Sequence, residues 1–208
     1  MFSIIQAAGW PIWPLIASSV LALALVIERF ISLKMQRIAP PKLLDEVLTV
    51  ARYAVPTPDV VNKLEQNSVL GGVLASGLRA LNLNPRCSED ELRAVMESAG
   101  RLAAHQLERY LSALATIASA APLMGLFGTV VGMIEIFGSQ TPSGATGGNP
   151  AQLAHGISVA LYNTAFGLIV AIPSLIFWRY FRARVDAYLL TLELAAERLA
   201  RHLNTLRK

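Results

Sequence analysis

Residues 121–137 read APLMGLFGTVVGMIEIF, a stretch apolar enough to lie in lipid that still carries three glycines, a proline, a threonine and a glutamate. Lipid tails give helices no hydrophobic reason to associate, so small residues in such a stretch matter because they let backbones touch. At 3.6 residues per turn, Ala121, Gly125, Gly128 and Gly132 fall on one face, the last two as a GxxxG pair. Ser112, Thr116, Ser119, Thr129 and Met133 fall on or near a neighbouring face. The stretch reads as a membrane helix shaped for close packing, with the Thr129 hydroxyl in its middle.

The rest of the chain supports a membrane setting. It has 208 residues, 54% of them hydrophobic and 15% charged, against about 25% charged in a soluble domain. No Asp, Glu, Lys or Arg occurs in 1–27, in 110–134 or in 136–178. A span needs roughly 20 mostly apolar residues. Three transmembrane helices are expected, at 13–33, 112–136 and 156–178, in an all-α integral membrane protein. The stretch GSQTPSGATGGNPAQ, from residue 138, is a loop by composition. No Lys or Arg precedes the first apolar run, so it lacks a signal peptide's basic start and is expected to remain in the mature protein. Trp10 and Trp13 stand where an interfacial aromatic belt would hold its outer end.

Basic residues mark one side of the membrane. Lys34, Arg37 and Lys42 follow the first span, Arg101 and Arg109 precede the second, and Arg179, Arg182 and Arg184 follow the third. The positive-inside rule then makes 1–12 an external segment, 34–111 a cytoplasmic helical region, 137–155 an external loop and 179–208 a cytoplasmic helical tail. The net charge of +4 is thereby a topology signal and a contact with lipid headgroups, not a nucleic-acid surface.

The cytoplasmic part reads as helices: PPKLLDEVLTVARYA, then DVVNKLEQN and SVLGGVLASGLRAL. Ser88 and Glu91 have capping-box spacing, and no proline follows them before Pro122. One long helix is expected from about Glu89 to Phe137. In the tail, Leu189, Leu192, Leu199 and Leu203, with Ala195 and Ala196, approximate a helical stripe. The two long helices are expected to leave the membrane and pack together as a bundle. Pro122 and Pro173 are expected to bend their helices.

A lone cysteine, Cys87, excludes an internal disulfide and a cysteine-based zinc cluster. The histidines are scattered, and no HExxH, P-loop or G-x-S-x-G occurs. No enzyme, cofactor or metal is expected. Glu28 and Arg29 lie toward the inner end of the first span and Glu135 near the outer end of the second. A proton relay needs an ionisable group at depth, and the second and third spans bring none. A partner would have to supply it.

The third span repeats the pattern of the second. Ala160, Thr164, Gly167, Ala171 and Ser174 share a face, with Tyr162 and Asn163 close to it. A three-span chain does not enclose a pathway, but several copies do. Polar stripes would face a shared interior, and Gly125, Gly128, Gly132 and Gly167 would form the helix seams between copies. The plainer alternative is that each hydroxyl bonds the carbonyl one turn back in its own helix.

APLMGLFGTVVGMIEIF followed by GISVALYNTAFGLIVAIPSL resembles the paired signature of the MotA/TolQ/ExbB proton-channel family, the ExbB branch most, over about Ala118–Phe181. The resemblance implies a homopentamer in the bacterial inner membrane, with a central pore. It implies an ExbD-like dimer of single-span chains in that pore, whose aspartate carries the proton, and a TonB-like transducer that opens outer-membrane transporters. The family's pore threonines match Thr129 and Thr164, and Glu135 falls near the outer mouth. Val159 stands where the family's G-I-x-E-A-L form has a glutamate, so that residue's role does not carry over. A TolQ-like subunit serving envelope integrity and a non-conducting oligomeric scaffold are the alternatives.

Overall fold

The computed structural model describes residues 9–52, 56–138 and 150–206, which form helices and no strand. Most of the expected external segment and external loop lies outside them. The helices are α1 (Ile12–Ser32), α2 (Met35–Ile38), α3 (Leu43–Ala51), α4 (Pro58–Asn67), α5 (Val69–Leu83), α6 (Glu89–Glu108), α7 (Leu111–Gly138) and α8 (Pro150–Leu206). The chain divides into two compact units, Met1–Glu28 with Tyr110–Tyr180, and Arg29–Arg109 with Phe181–Lys208.

Three stretches are long and apolar enough to cross a membrane: α1, α6–α7 and Gly156–Thr205 of α8, with mean hydropathy 1.8–1.9 in their most apolar windows. Only 22% of that window in α1 is buried, and 35% of that in α8. Leu23, Leu123, Ile134, Leu161, Ile169 and Ile176 are each at least 60% exposed, a surface fit for lipid or other protein chains. By contrast α5 is apolar but has 15 residues, about 22 Å of helix, too short for a core of about 30 Å. It is buried instead, along Leu70, Leu74, Leu78 and Leu81.

In the second unit α6 and the last part of α8 run antiparallel. Arg182 donates to Glu108 at 2.8 Å, and Asn204 reaches Glu89 near the other end. The buried stripe of α8 here is Phe181, Val185, Tyr188, Leu192, Ala195, Leu199 and Leu203. It takes in two aromatic residues beyond the leucines expected from sequence, while Leu189 is half-buried. Phe181 stacks edge-to-face on Phe30 at 5.0 Å, and the Tyr188 hydroxyl donates to the Leu33 carbonyl at 3.0 Å.

The single helix expected from 89 to 137 is interrupted at Arg109–Tyr110. Neither glycine nor proline causes this. The Arg109 N–H bonds back only three residues, to Gln106. Arg29, 3% exposed, donates to the Leu107 carbonyl at 2.9 Å. The regular partner of that carbonyl would be the N–H of Leu111, across the interruption. A tertiary hydrogen bond thus serves a group that an unbroken helix would use for itself.

In the first unit α7 and α8 also run antiparallel, and they approach closely at glycines. A Cβ at Gly125 would stand 2.8 Å from the Asn163 carbonyl oxygen and 3.0 Å from the Thr164 Cα. At Gly167 it would stand 2.6 Å from the Ala121 carbonyl oxygen, and at Gly128 it would lie 2.7 Å from the Asn163 Cβ. At Gly132 the nearest atom would be the Ala160 Cβ at 3.4 Å, and at Gly156 the Ile136 side chain. Within the chain, the glycines pack two of its own spans against each other, a seam that the sequence pattern alone does not assign to particular helices. Both prolines sit inside continuous helices, Pro122 in α7 and Pro173 in α8.

Two tests follow from this packing. Gly128→Leu is expected to lower folded yield and thermal stability in detergent by more than the 1–3 kcal/mol typical of overpacking, because the obstructing atoms belong to a helix face. Gly100→Ala, with nothing within 4 Å, is expected to be neutral or to stabilise by up to about 1 kcal/mol. At the start of α6 the Ser88 hydroxyl accepts from the Glu91 N–H at 3.1 Å, and the Ser88 N–H donates to the Glu91 carboxylate at 2.9 Å. The second bond, with help from the Cys87 thiol, holds the Glu91 carboxyl below its ordinary range. A depressed carboxyl stabilises the fold above that range and ceases to do so as pH falls through its folded-state value. Amide exchange in the first turn of α6 should therefore quicken on acidification, and Glu91→Gln should flatten that dependence.

Candidate functional site

The antiparallel pair α7–α8 fixes where the two threonines stand. Gly128 faces Asn163 across the seam. Thr129 and Thr164 each come one residue later, about 100° further round their helices. Because the helices run in opposite directions, these two steps turn toward the same flank of the pair. Phe127 and Tyr162, one residue earlier, turn toward the opposite flank, where Trp10 meets Phe127 edge-to-face at 5.9 Å. Thr129 and Thr164 are thus on a common flank, within about one helical turn of each other along the axis. Both are half-buried.

Four hydroxyls of α7 and α8 are satisfied within their own helix. The Thr129 Oγ1 donates to the Leu126 carbonyl at 2.6 Å, Ser119 to Ala115 at 3.0 Å, Thr116 to Ser112 at 2.9 Å and Ser174 to Val170 at 2.7 Å. A back-bonded hydroxyl spends its proton on its own helix and keeps lone pairs to accept from elsewhere. Thr129 can therefore receive a hydrogen bond from a protonated acid without leaving its rotamer. Among the described residues it is the one polar side chain in a groove of about 610 Å³ lined otherwise by Val130, Met133, Ile134, Phe137 and Gly138.

The other hydroxyls of α7 do not share this flank. Thr116 and Ser119 are exposed, and ten residues at 100° each turn Thr129 about 80° from Ser119. The single hydroxyl face expected from sequence is two faces. Glu135 is exposed near the end of α7. The side chain of Val159 lies outside the described residues. Gly125, Gly128 and Gly167 are buried and Gly132 half-buried, all in the seam behind the threonines.

Asn163 is the residue that sequence reasoning underrated. It is 1% exposed, in the centre of a buried stripe made with Ala160, Gly167, Ala171 and Ser174, while Thr164 sits at the stripe's edge. The available signal was spacing, since Asn163 lies three residues after Ala160 and four before Gly167. Among the described residues no group of three or more His, Cys, Asp or Glu could hold a metal ion.

Comparison with known proteins identifies the family. Residues 65–194 match the model of the MotA/TolQ/ExbB proton channel family. The chain is 34% identical over 178 residues to a putative biopolymer transport protein ExbB-like 3 of Synechocystis sp., covering 86% of this chain and 83% of that protein. It is 36% identical over 137 residues to the Tol-Pal system protein TolQ of Pseudomonas aeruginosa, covering 65% and 58%. It is 40% identical over 79 residues to the biopolymer transport protein ExbB of Salmonella typhimurium, covering 38% and 32%. With three helices fit to span a bilayer and a glycine-packed antiparallel pair at its centre, the chain is a membrane protein that belongs to the MotA/TolQ/ExbB proton channel family.

Proposed function

We propose that this chain is the proton-channel, or stator, subunit of a TonB–ExbB–ExbD-like system in a bacterial inner membrane. It performs no covalent chemistry. Five copies surround a dimer of single-span partner chains, and each partner brings the carboxylate that carries the proton. The proton motive force is thereby coupled to a TonB-like transducer acting on outer-membrane transport. The N-terminus and the 137–155 loop lie outside, and 34–111 and 179–208 lie in the cytoplasm, where the basic flanks place them.

The observation that carries this reading is the common flank of Thr129 and Thr164. Two hydroxyls stand within about one helical turn of each other, on spans that contain no central Asp, Glu, Lys or Arg. A carboxylate in lipid is costly unless it is protonated or meets polar groups. Thr129 and Thr164 give a passing acid the acceptors it needs when protonated, and water completes the set when it is not. One proton crossing is worth about 2.3 kcal/mol per 100 mV, several times thermal energy. A TolQ-like role in envelope integrity is the second reading, favoured by matches to TolQ at 36% identity.

The test is proton flux in vesicles holding the chain with its partner. Thr129→Val and Thr164→Val keep shape and remove a hydroxyl, so assembly should persist while flux falls about tenfold, the scale of a lost hydrogen bond to an ionisable group. Unchanged flux in both would sink the pore role. Native mass spectrometry of the complex drawn from its own membranes should give five copies with a small single-span partner. A stable monomer would overturn the shared pore.

A further inference from the structure

We infer that Asn163 is a positioning residue that locks the rotation of α7 against α8, and so sets the flank on which Thr129 and Thr164 stand. Three atoms of its side chain, Cβ, Cγ and Nδ2, lie 2.7–2.9 Å from where a Cβ of residue 128 would be. The side chain therefore occupies the volume that glycine leaves empty at that position. On the facing stripe of α8, Ala160, Gly167, Ala171 and Ser174 are all smaller.

A stripe of small residues alone tolerates rotation, because small residues meet small residues over a wide arc. Asn163 removes that tolerance. A turn of one residue in α7 would bring Phe127 or Thr129 into the notch, and each has a side chain where the asparagine must sit. A slip by a whole turn would reach Gly125 or Gly132, so the lock acts on rotation and on single-residue shifts. Leucine has a similar bulk but a tetrahedral branch at Cγ in place of the flat amide, so it fills the space above Gly128 differently. The side chains fixed by the lock are its next neighbours in sequence, Thr129 after Gly128 and Thr164 after Asn163.

The role of the threonines rests on the stator reading above; the lock itself does not. Two measurements on the full chain with its partner separate them. The first reads helix rotation. A Cβ at residue 132 would stand 3.4 Å from the Ala160 Cβ, close to the separation of a disulfide. In a Cys87→Ala background, the pair Gly132→Cys and Ala160→Cys should cross-link readily. Adding Asn163→Leu or Asn163→Ser should cut the yield several-fold, and moving the glycine to the facing helix, Gly128→Ala with Asn163→Gly, should recover part of it. The second measurement is proton flux per assembled complex, with complexes counted by native mass spectrometry. It should fall about tenfold to a hundredfold in Asn163→Ser, the scale of a misplacement near 1 Å. A residue needed only for stability would lower the number of complexes and leave flux per complex unchanged. Cross-linking that persists in both Asn163 variants overturns the lock, and reduced cross-linking with unaltered flux per complex overturns the positioning role. Background flux in the unaltered protein, with cross-linking intact, sinks the stator reading and leaves the lock standing.

Discussion

The close approach of α7 to α8 at Gly125 and Gly167 governs the first unit. Where two backbones come within van der Waals contact, the axial register is fixed by atoms that do not move. Dispersion then supplies an attraction that lipid would not otherwise give. The two threonines of the proposed pore lie one residue away from that line: Thr129 beside Gly128, Thr164 beside Asn163.

The second unit follows a different rule. Its helices bury leucine, valine and aromatic side chains as a soluble bundle does, and its surface pairs charges at i, i+4 spacing, as in Arg93 with Glu89 and Arg101 with Glu97. Such pairs add little each, and apolar burial carries the unit. Arg29 is the exception: a cation buried at 3% exposure, held by a backbone carbonyl at an interrupted helix.

Much of this was legible in the sequence, for physical reasons that differ by residue. The spans were legible because a charge in lipid is expensive, so charge-free runs announce themselves. The seam was legible as a 4-3-4 spacing of small residues from Ala121 to Gly132, but a stripe of glycines does not say which helix it faces, and the pattern was assigned between copies. Asn163 is hard to place from sequence because an amide in an apolar run looks like an off-face residue until its neighbour across the seam is seen to be glycine. The interruption at Arg109–Tyr110 left no local trace, since it coincides with a contact from Arg29, 78 residues away along the chain. The leucines of the tail show only half of its stripe; Phe181, Val185 and Tyr188 complete it.

The back-bonded hydroxyls have a consequence for biogenesis. A helix entering the bilayer is charged for every donor it fails to satisfy. Thr116, Ser119, Thr129 and Ser174 each give their proton to a carbonyl of the same helix. To the insertion machinery these spans present themselves almost as if those positions were valine and alanine. Insertion of the two spans is eased to that extent, while the acceptor oxygens of these hydroxyls keep their lone pairs.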